Sequence, residues 1–454
     1  MKLTPKKLSI TTFCISLCLI GCQSPEPKIT SPSPETTPSP QVSQISMEIP
    51  QKPLTLPPNN PEKIASTQTQ TYLNRLANQG FSQQNQGIWI QSNDTLLANH
   101  QGTIPLPAAS ITKVATSLVA LETFNPNHQF ITLISTTGKI ENGVLNGDLV
   151  IQGGEDPLFV WEEAIAIGNL LNQIGIQRVT GNLIITGKFY MNFESNPQTA
   201  GNLLKQGLNS QIWSREALNQ YQTLPPGTLK PQVKIDGFVQ VYAAPPQNIK
   251  LLIIHYSFPL AELVKKMNQY SNNLMADMLA EAVGGYQIVA AKAAEFTGVP
   301  KQEVQLINGS GLGEENRISP RAATGMFLAI NNYLQQYNMS VADVFVIVGK
   351  DKGILEQRKQ LPNFAVVKSG TLNSVSALAG ALPTKEKGIV WFTILNKGAG
   401  VNQLRSQQEI FLRDLLNKWG AVQSLPPELT ANPERKAKTS RSEIIENGKK
   451  SEAR

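Results

Sequence analysis

The chain has 454 residues but only three cysteines, Cys14, Cys18 and Cys22, all within the first 22 positions. Everything beyond Cys22 therefore has no thiols to pair, and a folded body there must rely on its core rather than on disulfides. Histidine is as scarce: His100, His128 and His255 are the whole supply. None sits in a setting suited to a Ser-His-Asp relay, and with so few thiols and imidazoles no metal cluster is expected. Charge is sparse at 16% and aromatics stand at 6%. The formal charge of +7 falls to +4 once Lys2, Lys6 and Lys7 are set aside with the leader. That mild excess, with no basic stripe interleaved with aromatics, excludes a nucleic-acid partner. Long apolar runs are missing too, apart from Leu8–Ile20, which is too short to span a bilayer comfortably.

What is present at the start reads as an export signal over residues 1–22: a basic beginning, an apolar stretch, then Leu19-Ile20-Gly21-Cys22. That last run resembles a bacterial lipobox. The resemblance implies a lipidated Cys22 as the mature N-terminus, hence an exported lipoprotein on the periplasmic or envelope face of a membrane. Residues 23–61 hold 11 of the 30 prolines, mixed with Ser and Thr, and read as an extended tether. From Ala421 to Arg454 the chain is polar and charge-mixed, and composition predicts a disordered tail.

The folded part turns on Pro107-Ala-Ala-Ser110-Ile-Thr-Lys113 and the run that follows to Leu121. Ile111, Val114, Ala115, Leu118 and Leu121 recur at three- and four-residue steps, so the stretch predicts a helix with one face turned inward. Ser110 falls on its first turn and Lys113 one turn later, which sets the amine beside the hydroxyl. A serine is a weak nucleophile until a base takes its proton, and a desolvated lysine can be that base. Unpaired N–H groups at a helix start can also steady an oxyanion.

Around this centre the patterns alternate. Pro61 and Glu62 open what reads as an amphipathic helix through about Asn78, and Ile88–Ile90 with Thr95–Ala98 read as a hairpin about Ser92-Asn-Asp94. Glycine-punctuated short strands, with a helical run from near Trp161 between them, fill 140–255, which reads as an inserted, mainly-β domain. Helices follow on either side of Ser271-Asn272-Asn273, then strands through Val366–Lys368, Ser376–Leu382 and Ile389–Leu395, and a closing helix to Trp419. The class is α+β: an antiparallel sheet flanked by helices, built from 62–139 and 256–420.

Three short patterns, each occurring once, stand in order: Ser110-x-x-Lys113, Ser271-x-Asn273 and Lys368-Ser369-Gly370. This is the motif set of penicillin-recognising serine enzymes. With His255–Leu263, Ser271–Met278, Asn308–Leu312, Glu315–Pro320 and Lys368–Leu372, the chain resembles the low-molecular-mass D-Ala-D-Ala carboxypeptidase/endopeptidase family of penicillin-binding proteins. The branch is the one with a domain between the first two motifs, and its fold is the β-lactamase/transpeptidase-like one. The chain departs from it in having Asn308 where the family has Asp, and Thr186-Gly187 where the family has an acidic pair.

The resemblance implies that Ser110 is acylated by the D-Ala-D-Ala carbonyl while Lys113 takes its proton. It implies that Ser271 relays a proton to the leaving amine, that Asn273 holds Lys113 and the substrate amide, and that Lys368 supplies positive potential. Ser369, Gly370 and Thr371 line the substrate, with Ser369 and Thr371 on its terminal carboxylate and the N–H groups of Ser110 and Thr371 as the oxyanion hole. It implies peptidoglycan stem peptides as substrate, β-lactams as covalent inhibitors and no cofactor or metal. Two other readings are a non-catalytic wall-binding homologue and a β-lactam hydrolase. Against the second, no Glu-x-x-Leu-Asn follows Ser271; Glu216-Ala-Leu-Asn219 precedes it. Gly309-Ser-Gly-Leu-Gly313 lacks the spacing of a dinucleotide loop and reads as a tight turn.

Overall fold

The computed structural model describes residues 62–437, 439–446 and 449–452; the leader, Cys22 and the 23–61 tether lie outside them. The first element begins at Glu62, whose carboxylate accepts the Ala65 N–H and caps the helix Lys63–Asn78. This helix buries Tyr72, Leu73 and Leu76 against the closing helix Val401–Trp419, where Tyr72 stacks on Phe411.

Between these helices and a second helical layer stands a six-stranded antiparallel sheet. Its order is Val346–Ile347, Val366–Leu372, Val375–Thr384, Gly388–Lys397, Gln86–Ser92, Thr95–His100. The last strands of the chain thus pair with the first, Ile88 opposite Ile394. Alternation along each strand explains why the sheet needs cover on both faces. Val367, Leu378, Phe392 and Ile394 join the cluster under the first and last helices, whereas Val366, Ala377, Ala379 and Leu395 join the one containing helices Thr112–Phe124 and Pro320–Gln335. Val375–Thr384 is buried at every position, as a strand covered on two sides must be.

The region expected as an insert has its own hydrophobic cluster, including Ile151, Leu171, Leu183, Leu204 and Ile253. Its main sheet has seven strands, in the order Val239–Val241, Leu183–Lys188, Leu149–Gly154, Ile131–Thr136, Lys250–Tyr256, Arg441–Glu446, Lys449–Glu452. The first three run parallel, with helix Trp161–Gln173 linking Leu149–Gly154 to Leu183–Lys188. The glycine-rich texture signalled the strands well. The helix Trp161–Gln173 falls where the sequence predicts a helical run, Pro197–Gly207 and Arg215–Tyr221 add a further helical share to what read as mainly β, and the sheet begins at Ile131 rather than at 140.

The polar tail is a correction. Composition predicts disorder from Ala421, yet Arg441–Glu446 pairs antiparallel with Lys250–Tyr256, Ile444 opposite Ile253. Ahead of it the Arg435 guanidinium is buried on the carboxylates of Glu262 and Asp343. A charge-rich stretch looks solvated in isolation. Here the Arg435 charge is matched by carboxylates far back in the chain, and one isoleucine enters a core that already exists.

Candidate active site

Ser110 lies in a single 3-10 turn, Ala109–Ile111, and the α-helix starts only at Thr112. The serine therefore precedes the helix rather than sitting in its first turn. Ala109 holds a left-handed φ of 47°, an unusual state for a residue with a side chain, immediately before the hydroxyl. Neighbours hold the turn in place. Gly311 packs so close that a Cβ there would stand 1.9 Å from the Ala109 carbonyl oxygen, and Thr116 Oγ1 donates to the Gly309 carbonyl at 2.7 Å.

Lys113 is fully buried beneath that turn. Its Nζ donates to Ser110 Oγ at 3.1 Å, to Asn273 Oδ1 at 2.7 Å and to the Ser310 carbonyl at 2.7 Å. Burial lowers its pKa to about 7, against the opposing pull of the Asp277 carboxylate. An amine in this state can accept a proton near neutral pH.

The second motif is a helix junction. Leu260–Tyr270 ends at Ser271, whose φ of 51° is left-handed, and Asn272 accepts the Met275 N–H at 3.0 Å to start the helix Asn273–Ala282. The turn brings the Ser271 hydroxyl to Lys368, whose Nζ donates to Ser271 Oγ at 2.9 Å and to the Ser369 carbonyl at 2.7 Å. Lys368 is 1% exposed. Burial, and then the charge of Lys113, hold its pKa well below the usual lysine range.

Gly370 faces the nucleophile turn: a Cβ there would lie 2.8 Å from the Ser110 amide nitrogen and 3.0 Å from Ala109 Cβ. Only glycine lets the strand come this close to that N–H. Ser369 is nearly buried, while Thr371 is exposed at the mouth. The structure thus brings Ser110, Lys113, Ser271, Asn273, Lys368 and Gly370 to one place, hydroxyls near the surface and amines below. Cys22 lies outside the described residues.

The sequence reading missed three contributors. Ser310 supplies a carbonyl to Lys113, so the glycine turn is part of the site; the clue was its glycine spacing. Asp277 accepts the Gly309 N–H at 3.0 Å and sets part of the field on Lys113. Arg405 Nη2 donates to Thr371 Oγ1 at 2.6 Å. No local pattern marks an arginine on the closing helix for such a place. Of the histidines, His255 is buried, its pKa lowered to about 4 by desolvation, and His128 stacks on Phe124. Among the described residues no cluster could hold a metal ion, and no helix is long and apolar enough to cross a membrane.

Beside the site lies a cavity of about 470 Å³, lined among others by Lys188, Tyr190, Phe193, Leu274, Asp277 and Glu281. It joins the insert to the helix that begins at Asn273. At the family's acidic position, Gly187 takes a φ of 64° and Lys188 pairs with Glu155 at 2.6 Å.

The profile of the D-Ala-D-Ala carboxypeptidase 3 (S13) family matches residues 69–214 and 201–415. D-alanyl-D-alanine carboxypeptidase DacB of Haemophilus influenzae is 24% identical over 431 residues, covering 73% of this chain and 88% of the relative. The solved penicillin binding protein 4 (dacB) of Haemophilus influenzae is similar in fold, with a TM-score of 0.60 at 18% identity over 77% of this chain and 99% of that one. So is the penicillin G acylated predatory endopeptidase Bd3459 of Bdellovibrio bacteriovorus, solved with immunity protein Bd3460: its TM-score is 0.63 at 20% identity, over 75% and 94% of the two chains.

Proposed function

The chain belongs to the D-Ala-D-Ala carboxypeptidase 3 (S13) family, and from that premise we propose that it is a serine D-Ala-D-Ala carboxypeptidase acting on peptidoglycan stem peptides through an acyl-enzyme on Ser110. The observation that carries the reading is the placement of the Lys113 amine 3.1 Å from Ser110 Oγ, desolvated and held by two further acceptors. In the proposed reaction neutral Lys113 takes the Ser110 proton as Oγ attacks the carbonyl carbon of the penultimate D-Ala. The oxyanion forms at the Ser110 and Thr371 N–H groups, where Gly370 keeps the approach open. The C–N bond then breaks. The departing D-Ala amine takes its proton from Ser271 Oγ, which Lys368 resupplies across their 2.9 Å hydrogen bond. Water then attacks the ester carbon, its proton passing through Ser271 to Lys368, and Ser110 Oγ leaves with the proton held on Lys113, which frees the shortened peptide and restores both lysines. β-Lactams would enter the same first step and remain as esters.

The cavity beside Leu274 and Asp277 offers room for the residue upstream of the two D-alanines. Incubating the purified chain with peptidoglycan fragments and weighing the products by mass spectrometry tests the reading. Loss of one D-Ala from pentapeptide stems is expected. Products shortened only at cross-links would put an endopeptidase in its place, and unchanged fragments would leave a wall-binding homologue.

The anchor is a separate part of the proposal. Leu19-Ile-Gly-Cys22 followed by a proline-rich tether supports a lipidated Cys22 that lets an envelope-bound enzyme reach its polymer. In a bacterial host the wild type is expected to fractionate with membranes, and Cys22→Ala to be released or to stay unprocessed. Correctly cleaved wild-type protein without lipid would refute it.

A further inference from the structure

The proposed reaction needs a cation for the substrate's terminal carboxylate, and the site's two lysines are committed elsewhere. Lys113 is buried and shared among Ser110, Asn273 and Ser310. Lys368 is buried too, turned onto Ser271 Oγ and the Ser369 carbonyl. Nearby Lys397 is paired with Glu314 at 2.7 Å, and Arg358 lies buried on Glu409. Among the described residues, the cation at the mouth is Arg405. Its Nη2 reaches the hydroxyl of exposed Thr371, one residue beyond the glycine that faces Ser110.

Building on the carboxypeptidase reading, we infer that Arg405 is the specificity-determining group that, with the Thr371 hydroxyl, receives the free C-terminal carboxylate of the substrate.

Three features suit it to that work. It carries no ion pair among the described residues, and its other side-chain bond is a long one, 3.4 Å, to Asn402 Oδ1. A guanidinium presents donors in a planar fork that matches a carboxylate. Its position is also rigid. Leu404 beside it is fully buried, the Arg405 carbonyl accepts Arg358 Nη2 at 3.2 Å, and Gln408 one turn on is tied to Ser376 and Asn396. The Thr371 hydroxyl, accepting from Arg405, keeps its own proton free for a carboxylate oxygen.

The test compares kcat and KM on an N-acylated peptide ending in D-Ala-D-Ala free acid and on its C-terminal amide, using the full chain, Arg405→Ala and Arg405→Lys. The wild type should prefer the acid. Arg405→Ala should lower that preference about tenfold, chiefly by raising KM for the acid, with a far smaller fall on the amide. Arg405→Lys should recover part of it. Fluorescent-penicillin labelling carried to completion reports whether each variant is folded with Ser110 competent. An Arg405→Ala enzyme with the wild-type acid-to-amide ratio, or one equally impaired on both peptides, would overturn the assignment. A wild type that labels but cleaves neither peptide would instead overturn the carboxypeptidase reading on which it rests.

Discussion

Replacing Ser110 by alanine is expected to abolish covalent labelling by a fluorescent penicillin and to cut D-Ala release by at least about 10⁴-fold, the scale of losing a nucleophile from a serine hydrolase. The fold should survive. Ser110 is only half-buried, the turn before it is held by Gly311 and Thr116 rather than by its hydroxyl, and the helix after it is buried from Thr112 to Leu121. Among the described residues the hydroxyl is bonded to Lys113 Nζ, which keeps Asn273 Oδ1 and the Ser310 carbonyl as acceptors in the mutant. Circular dichroism and melting temperature should therefore stay near the wild type while intact-mass spectrometry shows no penicilloyl adduct. A stoichiometric adduct on the mutant would move the nucleophile elsewhere.

The second large effect concerns Lys113. Lys113→Met, similar in length and without an amine, should slow acylation by about 10²–10⁴-fold, the range assigned to a general base. The wild-type rate should carry a signature of that amine. Burial places its pKa at about 7, and only the neutral form can take the serine's proton. Acylation should rise roughly tenfold per pH unit below 7 and level off above it, whereas the residual rate of Lys113→Met should not show this limb. Asp277→Asn assigns the titration. The Asp277 carboxylate favours the lysine cation, so removing its charge should move the limb to lower pH, while an asparagine oxygen can still accept the Gly309 N–H. A limb that stays in place in Asp277→Asn, or persists in Lys113→Met, would point to another group. Stability follows with a definite sign. The native pKa lies below that of the unfolded chain, so the unfolded state binds more protons between about 7 and the ordinary lysine value. Stability should rise with pH across that window, and Lys113→Met should lose its share of the rise.

Much of this molecule is local and could be read residue by residue. The apolar period of Ile111–Leu121, the apolar runs Ser376–Leu382 and Ile389–Leu395, and the hairpin about Asn93 each depend on neighbours a few positions away. Side-chain spacing alone specifies which face such elements bury. The three motifs were legible for the same reason, since chemistry that needs a hydroxyl one turn from an amine leaves a fixed spacing. The helix start was misplaced by two residues because the left-handed state of Ala109 comes from Gly311 and Gly370 pressing on it, some two hundred positions or more away.

What only the tertiary structure decided are the quantities set by long-range packing. Nothing near Lys113 in sequence says that it will be desolvated. That follows from the Ser310 turn and the Asn273 helix closing over it. The resemblance makes Lys368 a source of positive potential; the sheet and Ser271 bury it and turn its amine inward. The tail appears solvated by composition, yet the free edge of Lys250–Tyr256 and the carboxylates of Glu262 and Asp343 give it a place. Arg405 looks like any helix-surface arginine until the closing helix docks and brings it to Thr371. The sequence by itself determined which groups are available and at what local spacing. Burial, which sets their charge, and approach across the fold, which sets their partners, exist only once distant segments have packed.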